Sequence, residues 1–411
     1  MAINRRTVIK LGSASAAAAI LPGTGAIAQV KDVKVALIAP LSGPWARQGE
    51  LMKKGGDLAI KHINEAGGIR SLGGAKMQLI VVDAGDSAEK AKNAAQRMVS
   101  QEPDLIGGTG AWLSTFTLAV TEVTERASLP MLTLSYSDQI TARDHRFVFQ
   151  TSPTAGAQAT AALPTVLDLA QKATGKRPTT AAIIMDNTAS PVSFAKPMRE
   201  GGLEKAGVKL LVDEIFTPPL ADATPIVQKV RSARPEILLL IPTAVSDDKL
   251  ILEKLNEFGL GKGRLPVIAN GAHIGAPELL RNVGAELLEG LMFIVANWGA
   301  KGQEKIIDEF KKETGEPWIT QDSMCTYGDL MIFKEALESA GKADRVAVAE
   351  AIRKMDTTTG PAHYFPGNRV KFLPNGRRDG AAFVIVQWQK GVPVVVFPEQ
   401  SAIAAPIWPK S

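Results

Sequence analysis

Cysteine is nearly absent from this sequence: Cys325 is the single one in 411 residues, so no disulfide can close within the chain. A chain this long does not need one for stability, and in "DSMCTYGDLMIF" the thiol reads as a small apolar helix residue. Histidine is scarce as well. His62, His145, His273 and His363 lie far apart, without HxxxH or CxxC spacing, so the sequence offers no metal site, no catalytic triad and no cofactor motif. Past the N-terminus no run reaches the roughly 20 apolar residues that a spanning helix needs. A strong charge of one sign is also missing. The formal charge is +5, but residues 1–28 carry Arg5, Arg6 and Lys10 and no acid, and without them it falls to +2. The other basic residues are interspersed with acids as on a solvated surface, which leaves a nucleic-acid partner unsupported.

What is present begins with "MAINRRTVIKLGSASAAAAILPGTGAIAQ". A basic region, a mildly apolar Ala-rich segment and Ala26-Ile27-Ala28 follow in the order of an export signal. The paired arginines resemble the twin-arginine motif. Cleavage is expected after Ala28, giving a periplasmic protein; the apolar part is too short and too interrupted by Gly12, Ser13 and Ser15 for an anchor.

Apolar β-rich runs then alternate with amphipathic helical stretches. "VKVALIAP", "KMQLIVVDAGDS", "PDLIGGTG" and "LPMLTLS" read as strands separated by helices, and the pattern restarts with "TTAAIIMDN", "VKLLVDEIF", "EILLLIPT" and "LPVIAN". Such alternation implies βαβ units and parallel sheets covered on both faces. Two α/β lobes of this size leave a cleft at the carboxyl ends of their strands, where open parallel sheets bind ligands. From about His273 the pattern is less regular: a strand-like "GLMFIVANW", helices at "KIIDEFKKETG", "TYGDLMIFKEALESAG" and "VAVAEAIRKM", and a hairpin turning at Lys390-Gly391.

Several residues fall at the expected cleft. Ser42, Trp45 and Gln48 follow the first strand. In "GGTGAWLSTF" the glycines would bring backbone close to a ligand, and Trp112 and Ser114 sit at a helix start, where unpaired N–H groups and the dipole favour an anion. "TLSYSDQ" adds Ser135, Tyr136 and Ser137. Structural alternatives stand beside each: lobe packing for Trp45, capping of its own helix for Ser114, an ordinary serine-rich loop for the last three.

"VALIAPLSGPWARQGELMKKGGDLAIKHINEAGGI", "VVDAGDSAEKAKNAAQRMVSQ", "LPMLTLSYSDQIT" with "RFVFQTSPT", and "TYGDLMIFKEALESAG" occur in that order. Together they resemble the periplasmic leucine/isoleucine/valine-binding protein family, the solute receptors of ABC importers, across nearly all of the mature chain. The resemblance implies a type I periplasmic binding fold, an α/β protein of two doubly wound parallel-sheet lobes joined by three hinge crossings. Placed near Thr151, Ala272 and Thr358, the crossings give lobe 1 as 29–151 plus 273–357 and lobe 2 as 152–272 plus 358–411. It also implies a monomer without enzymatic activity that binds a small carboxylate and meets an ABC transporter permease.

The resemblance gives Ser114 a ligand carboxylate, and it gives the loop at Ser135 and Ser137 a carbonyl and a hydroxyl for the ligand's amino and carboxylate groups. Ser190 and Gln48 stand where the amino-acid receptors often carry tyrosines. Asp247 stands where they carry the glutamate that pairs with the ligand ammonium; its alternative is an exposed helix cap. Trp45, Trp112 and Trp298 fall on or near cleft loops of a chain with only 5% aromatics, so an apolar or planar ligand body is expected. A branched-chain amino acid is slightly favoured, on Asp247, over an aromatic or aliphatic carboxylate. Two other classes compete. A dinucleotide-dependent enzyme would need a third glycine where Leu113 stands and an acid ending the next strand. A sensory receptor of the same fold would differ in its membrane partner.

Overall fold

A computed structural model describes residues 31–408; the export-signal expectation for residues 1–28 lies outside them. The first sheet is built from β1 (Val33–Ala39), β2 (Met77–Asp83), β3 (Leu105–Gly110), β4 (Met131–Thr133) and β5 (Val148–Gln150), in the order β2-β1-β3-β4-β5, all parallel. Its connections are α1 (Ala46–Glu65), α2 (Ala88–Gln101) and α3 (Ser114–Arg126).

After β5 the chain passes to α4 (Ala155–Thr174), β6 (Thr180–Asp186), α5 (Ala189–Pro197), the short α6 (Leu203–Lys205), β7 (Lys209–Phe216), α7 (Thr224–Ala233), β8 (Ile237–Ile241), α8 (Val245–Glu257) and β9 (Val267–Asn270). Then come α9 (Pro277–Val283), α10 (Ala285–Leu288), β10 (Met292–Val295), α11 (Glu304–Thr314), α12 (Gln321–Ala340), α13 (Arg345–Lys354), a small ribbon of β11 (Asp356–Thr357) and β12 (Val370–Lys371), and a closing hairpin of β13 (Val384–Gln389) and β14 (Val392–Phe397). The second sheet runs β14-β13-β10-β9-β8-β6-β7 and is parallel from β10 to β7. β13 and β14 add to it antiparallel, turning at Lys390-Gly391, both with positive φ.

The strands are near-continuous apolar runs because both faces are covered. Along β8, Leu238 and Leu240 join one core with Val227 and Val230 of α7, while Ile237, Leu239 and Ile241 join another with Leu163 of α4 and Phe194 of α5. In the first sheet, Leu58 of α1 and Phe333 of α12 cover one face, and Met98 of α2 and Val120 of α3 cover the other. Cys325 is buried as a free thiol. Among the described residues no helix is long and apolar enough to cross a membrane.

Two of the three expected crossings lie elsewhere. The first does fall between Gln150 and Ala155, where β5 ends and α4 begins. The chain does not return to the first lobe at Ala272, however: β10 pairs with β9 in the second sheet, and Trp298 is packed in that lobe's core. The return comes between Trp298 and α11, whose Ile306 and Phe310 join the first core. Phe372 also belongs to the first core, so the last crossing follows Asp379 rather than Thr358. Apolar periodicity identifies a strand but not the sheet that takes it.

Candidate functional site

The carboxyl ends of both sheets meet in one cavity with about 420 Å³ of space unfilled by atoms. From the first lobe it is lined by Trp112 to Ser114, Leu134 to Tyr136, and Gln321 at the start of α12. The second lobe supplies Ser190 and Pro191 at the start of α5, Ile241 to Thr243 at and beyond the end of β8, and Asn270 to His273 at and beyond the end of β9.

Local backbone explains how these side chains reach the space. After β3, Ala111 and Trp112 both take positive φ, 60° and 43°, a conformation that costs non-glycine residues on the order of 1–3 kcal/mol each. The turn delivers Trp112 to the cavity, where Nε1 donates to Oδ1 of Asp322 at 2.8 Å. Across the cleft, Gly271 has φ of 117°, and a Cβ there would lie 2.5 Å from Cε1 of His273. The absent side chain leaves room for the imidazole to fold back over the strand end.

Ser114 Oγ accepts from the N–H groups of Tyr136 (3.2 Å) and Ser137 (3.0 Å). With both acceptor positions filled, its hydroxyl hydrogen remains to be donated. The Ser135 hydroxyl is spent inside the lobe: it donates to the Trp112 carbonyl at 2.7 Å and lies 2.6 Å from Thr117 Oγ1. Gln150 Nε2 donates to the Ser135 carbonyl at 2.7 Å. Tyr136 donates its hydroxyl to Gln321 Oε1, and both oxygens accept from the N–H of Ala296.

Of the residues singled out in the sequence, Trp112, Ser114, Ser135, Tyr136 and Ser190 line this cavity. The other six do not. Ser42 is exposed. Trp45 packs edge-on against Phe116, centroids 5.5 Å apart, within the first lobe's core. Gln48 is buried on α1, and its amide has no hydrogen-bond partner among the described residues. Ser137 Oγ contacts Ser193 Oγ across the lobes at 3.0 Å. Asp247 is buried in the first turn of α8 and anchors a loop rather than facing the cleft: Oδ1 accepts from the N–H of Leu220 at 3.1 Å. Trp298 lies in the second core against Phe293, its Nε1 donating to Pro393. The glycines also serve packing, since a Cβ on Gly107 would sit 2.2 Å from the Phe333 ring.

Sequence reasoning missed Thr243, Asn270, His273 and Gln321. The first three follow the ends of β8 and β9, so the strand-end rule was the available signal. Gln321 precedes the expected helix start at Thr326 and carried none.

Buried acids surround the second-lobe wall. Asp186 accepts from the Thr188 N–H and hydroxyl and from Thr243 Oγ1; burial raises its pKa against these bonds. Burial likewise raises Asp248, and it pushes Asp322 up to about 7 against the Trp112 bond. His273 Nε2 lies 3.2 Å from Asp248 Oδ2, close enough for an ion pair though not aligned as a hydrogen bond. Burial disfavours the imidazolium, but Asp248, with Asp186 and Asp322 farther off, outweighs it and holds the pKa above its ordinary value. Among the described residues no group of three or more His, Cys, Asp or Glu could hold a metal ion.

One ion-pair cluster spans the lobes outside the cavity. Arg47 on α1 reaches Glu316 at 2.6 Å and Glu278, on α9 of the second lobe, at 2.9 Å.

A sequence profile for the family described as periplasmic binding protein matches residues 32–392. The Leu/Ile/Val-binding protein homolog 7 of Brucella melitensis is 27% identical over 393 residues, covering 92% of this chain and 95% of its own. A leucine-binding protein from Thermotoga maritima superposes with a TM-score of 0.75 at 21% identity, covering 88% of this chain and 97% of that one. A solute-binding protein of an ABC transporter from R. palustris, solved with benzoate, gives 0.75 at 15% identity, with 92% and 100% covered. At these identities the two structures bear on the fold alone.

Proposed function

The chain belongs to the periplasmic binding protein family, and from that premise we propose that it is the extracytoplasmic solute receptor of an ABC importer, holding a small carboxylate between its lobes. The observation that carries this reading is the cavity itself. Both lobes wall it, α3 and α5 start at it with N–H groups that no helical bond satisfies, and Ser114 has a hydrogen left to give. Relatives bearing leucine-binding and benzoate-complex descriptions stand on the same fold, which agrees with a carboxylate end and an apolar body.

The action is reversible binding without covalent chemistry. Ligand docks on Ser114 and Trp112, the second lobe closes over it, and the closed form is what a permease recognises. Closure is favoured to the extent that the ligand contacts both lobes at once. The protein acts as a monomer, exported by the twin-arginine-like signal and cleaved after Ala28.

Thermal melting of the mature protein against amino acids, aromatic acids and short aliphatic acids tests the reading, because a ligand of the native state raises the melting point. At least one carboxylate should raise it. No shift with any of them would defeat the proposal.

A further inference from the structure

An α-amino acid brings an ammonium group as well as a carboxylate, and a buried ammonium needs acceptors. The acceptors that the sequence nominated are bonded elsewhere or lie outside the cavity. Asp247 accepts from the N–H of Leu220 and does not line the cavity. The Ser135 carbonyl takes the Gln150 amide, and the Ser137 hydroxyl lies against Ser193. Both carboxylate oxygens of Asp186 are bonded within the second lobe. Asp322 stands behind Trp112 and Asp248 behind His273, and no Asp or Glu is among the described residues lining the cavity.

The groups that do face in offer hydrogens. Ser114 has its free hydroxyl hydrogen. Gln321 spends Oε1 on Tyr136 and Ala296, while its Nε2 makes no hydrogen bond among the described residues. His273, 3% exposed, directs Nε2 to Asp248 and has no bond at Nδ1 among the described residues. Trp112, Leu113, Leu134, Pro191, Ile241 and Pro242 form the apolar part of the wall, beside the uncharged polar side chains of Ser190, Thr243 and Asn270.

We infer that the cavity takes a carboxylate that carries no ammonium group, held by Ser114 on one lobe and by His273, backed by Asp248, on the other, with an acyl or aryl body against the apolar wall. This rests on the receptor reading above and names the ligand class of that same site. Asp248 keeps the imidazole oriented, and the imidazole then offers its Nδ1 hydrogen to the ligand oxygen.

Matched pairs that differ in the ammonium test it: 4-methylpentanoate against leucine, and 3-phenylpropanoate against phenylalanine, titrated calorimetrically into the mature protein. In at least one pair the acid without the amino group should bind about tenfold or more tightly. If the amino acids bind more tightly in both pairs, the inference is overturned while the carboxylate receptor stands. If no member of either pair binds, both the receptor reading and the inference fall. His273→Gln should weaken the better acid by about tenfold, while the corresponding primary amide binds wild type and variant alike. Unchanged acid affinity in the folded variant overturns the role of His273, and the ligand pairs on the wild type decide the ligand class even if the variant misfolds.

Discussion

The hydroxyl oxygen of Ser114 lies 3.0 Å from the backbone nitrogen of Ser137 and accepts its hydrogen, joining the start of α3 to the loop after β4. That bond and its twin from Tyr136 give one side chain two duties. Ser114→Ala leaves two buried N–H groups unpaired, at about 1–3 kcal/mol each. The variant should unfold at lower denaturant, and its affinity for a carboxylate should drop by about 5- to 150-fold. Calorimetry that returns wild-type affinity from a folded variant would remove Ser114 from the site.

Carboxylate affinity should fall as pH rises from 6 to 8, by about tenfold. The groups facing His273 are Asp248 on α8, Asp186 at the end of β6 and Asp322 on α12; Arg47 also acts on Asp322. His273, with its raised pKa, loses its charge as pH rises through that value. Asp322, at about 7, gains a negative charge over the same range. The first removes an attraction for an anion and the second adds a repulsion, so their signs agree. Titrations at fixed ionic strength that show affinity flat or rising with pH would contradict this.

Asp322 also makes stability depend on pH. Its folded pKa of about 7 exceeds the ordinary 3.8, so between those values the native state binds more protons than the unfolded one. Stability contributed by the protonated acid is present at low pH and is lost as pH rises toward 7. Asp322→Asn keeps an acceptor for Trp112 without the ionisation. It should stabilise the protein at pH 8 by on the order of 2–4 kcal/mol and change little at pH 4. Equal effects at both pH values, measured by urea denaturation, would rule the ionisation out as the cause.

The Arg47–Glu278 pair joins the lobes outside the cavity. Glu278→Gln should lower ligand affinity about two- to fivefold, because a partly exposed ion pair contributes roughly 1 kcal/mol or less. The effect should shrink in high salt. Small-angle scattering should show a more open unliganded protein. An effect of the same size at 0.05 M and 1 M salt would argue against a charge-based latch.

Much of the architecture can be read from the chain because buried parallel strands write themselves as apolar runs: "EILLLIPT" is β8 and "VKVALIAP" is β1. Strand partnership is not written locally, so "GLMFIVANW" gave no sign that β10 stays with β9. At the site, the helix-start argument led to Trp112 and Ser114. The resemblance pointed to Asp247, but adjacent residues on a helix point about 100° apart: Asp247 turns to Leu220, and Asp248 turns to His273. The glycines of "GGTG" resembled a ligand cradle, yet Gly107 makes way for Phe333, which is distant in the chain and brought alongside only by α12. A histidine without a spaced partner carried no signal, since its partner comes from another element.

The hydrogen-bonded centre of Tyr136, Gln321 and Ala296 has one more consequence. Ala296 immediately follows β10, at the head of the segment returning to the first lobe, and its single N–H is shared by two oxygens from residues that wall the cavity. A ligand oxygen that draws on the Gln321 amide must alter that shared proton. Occupancy would then be registered in the backbone at the root of the connecting segment, and the Ala296 amide resonance would report whether the cavity is filled.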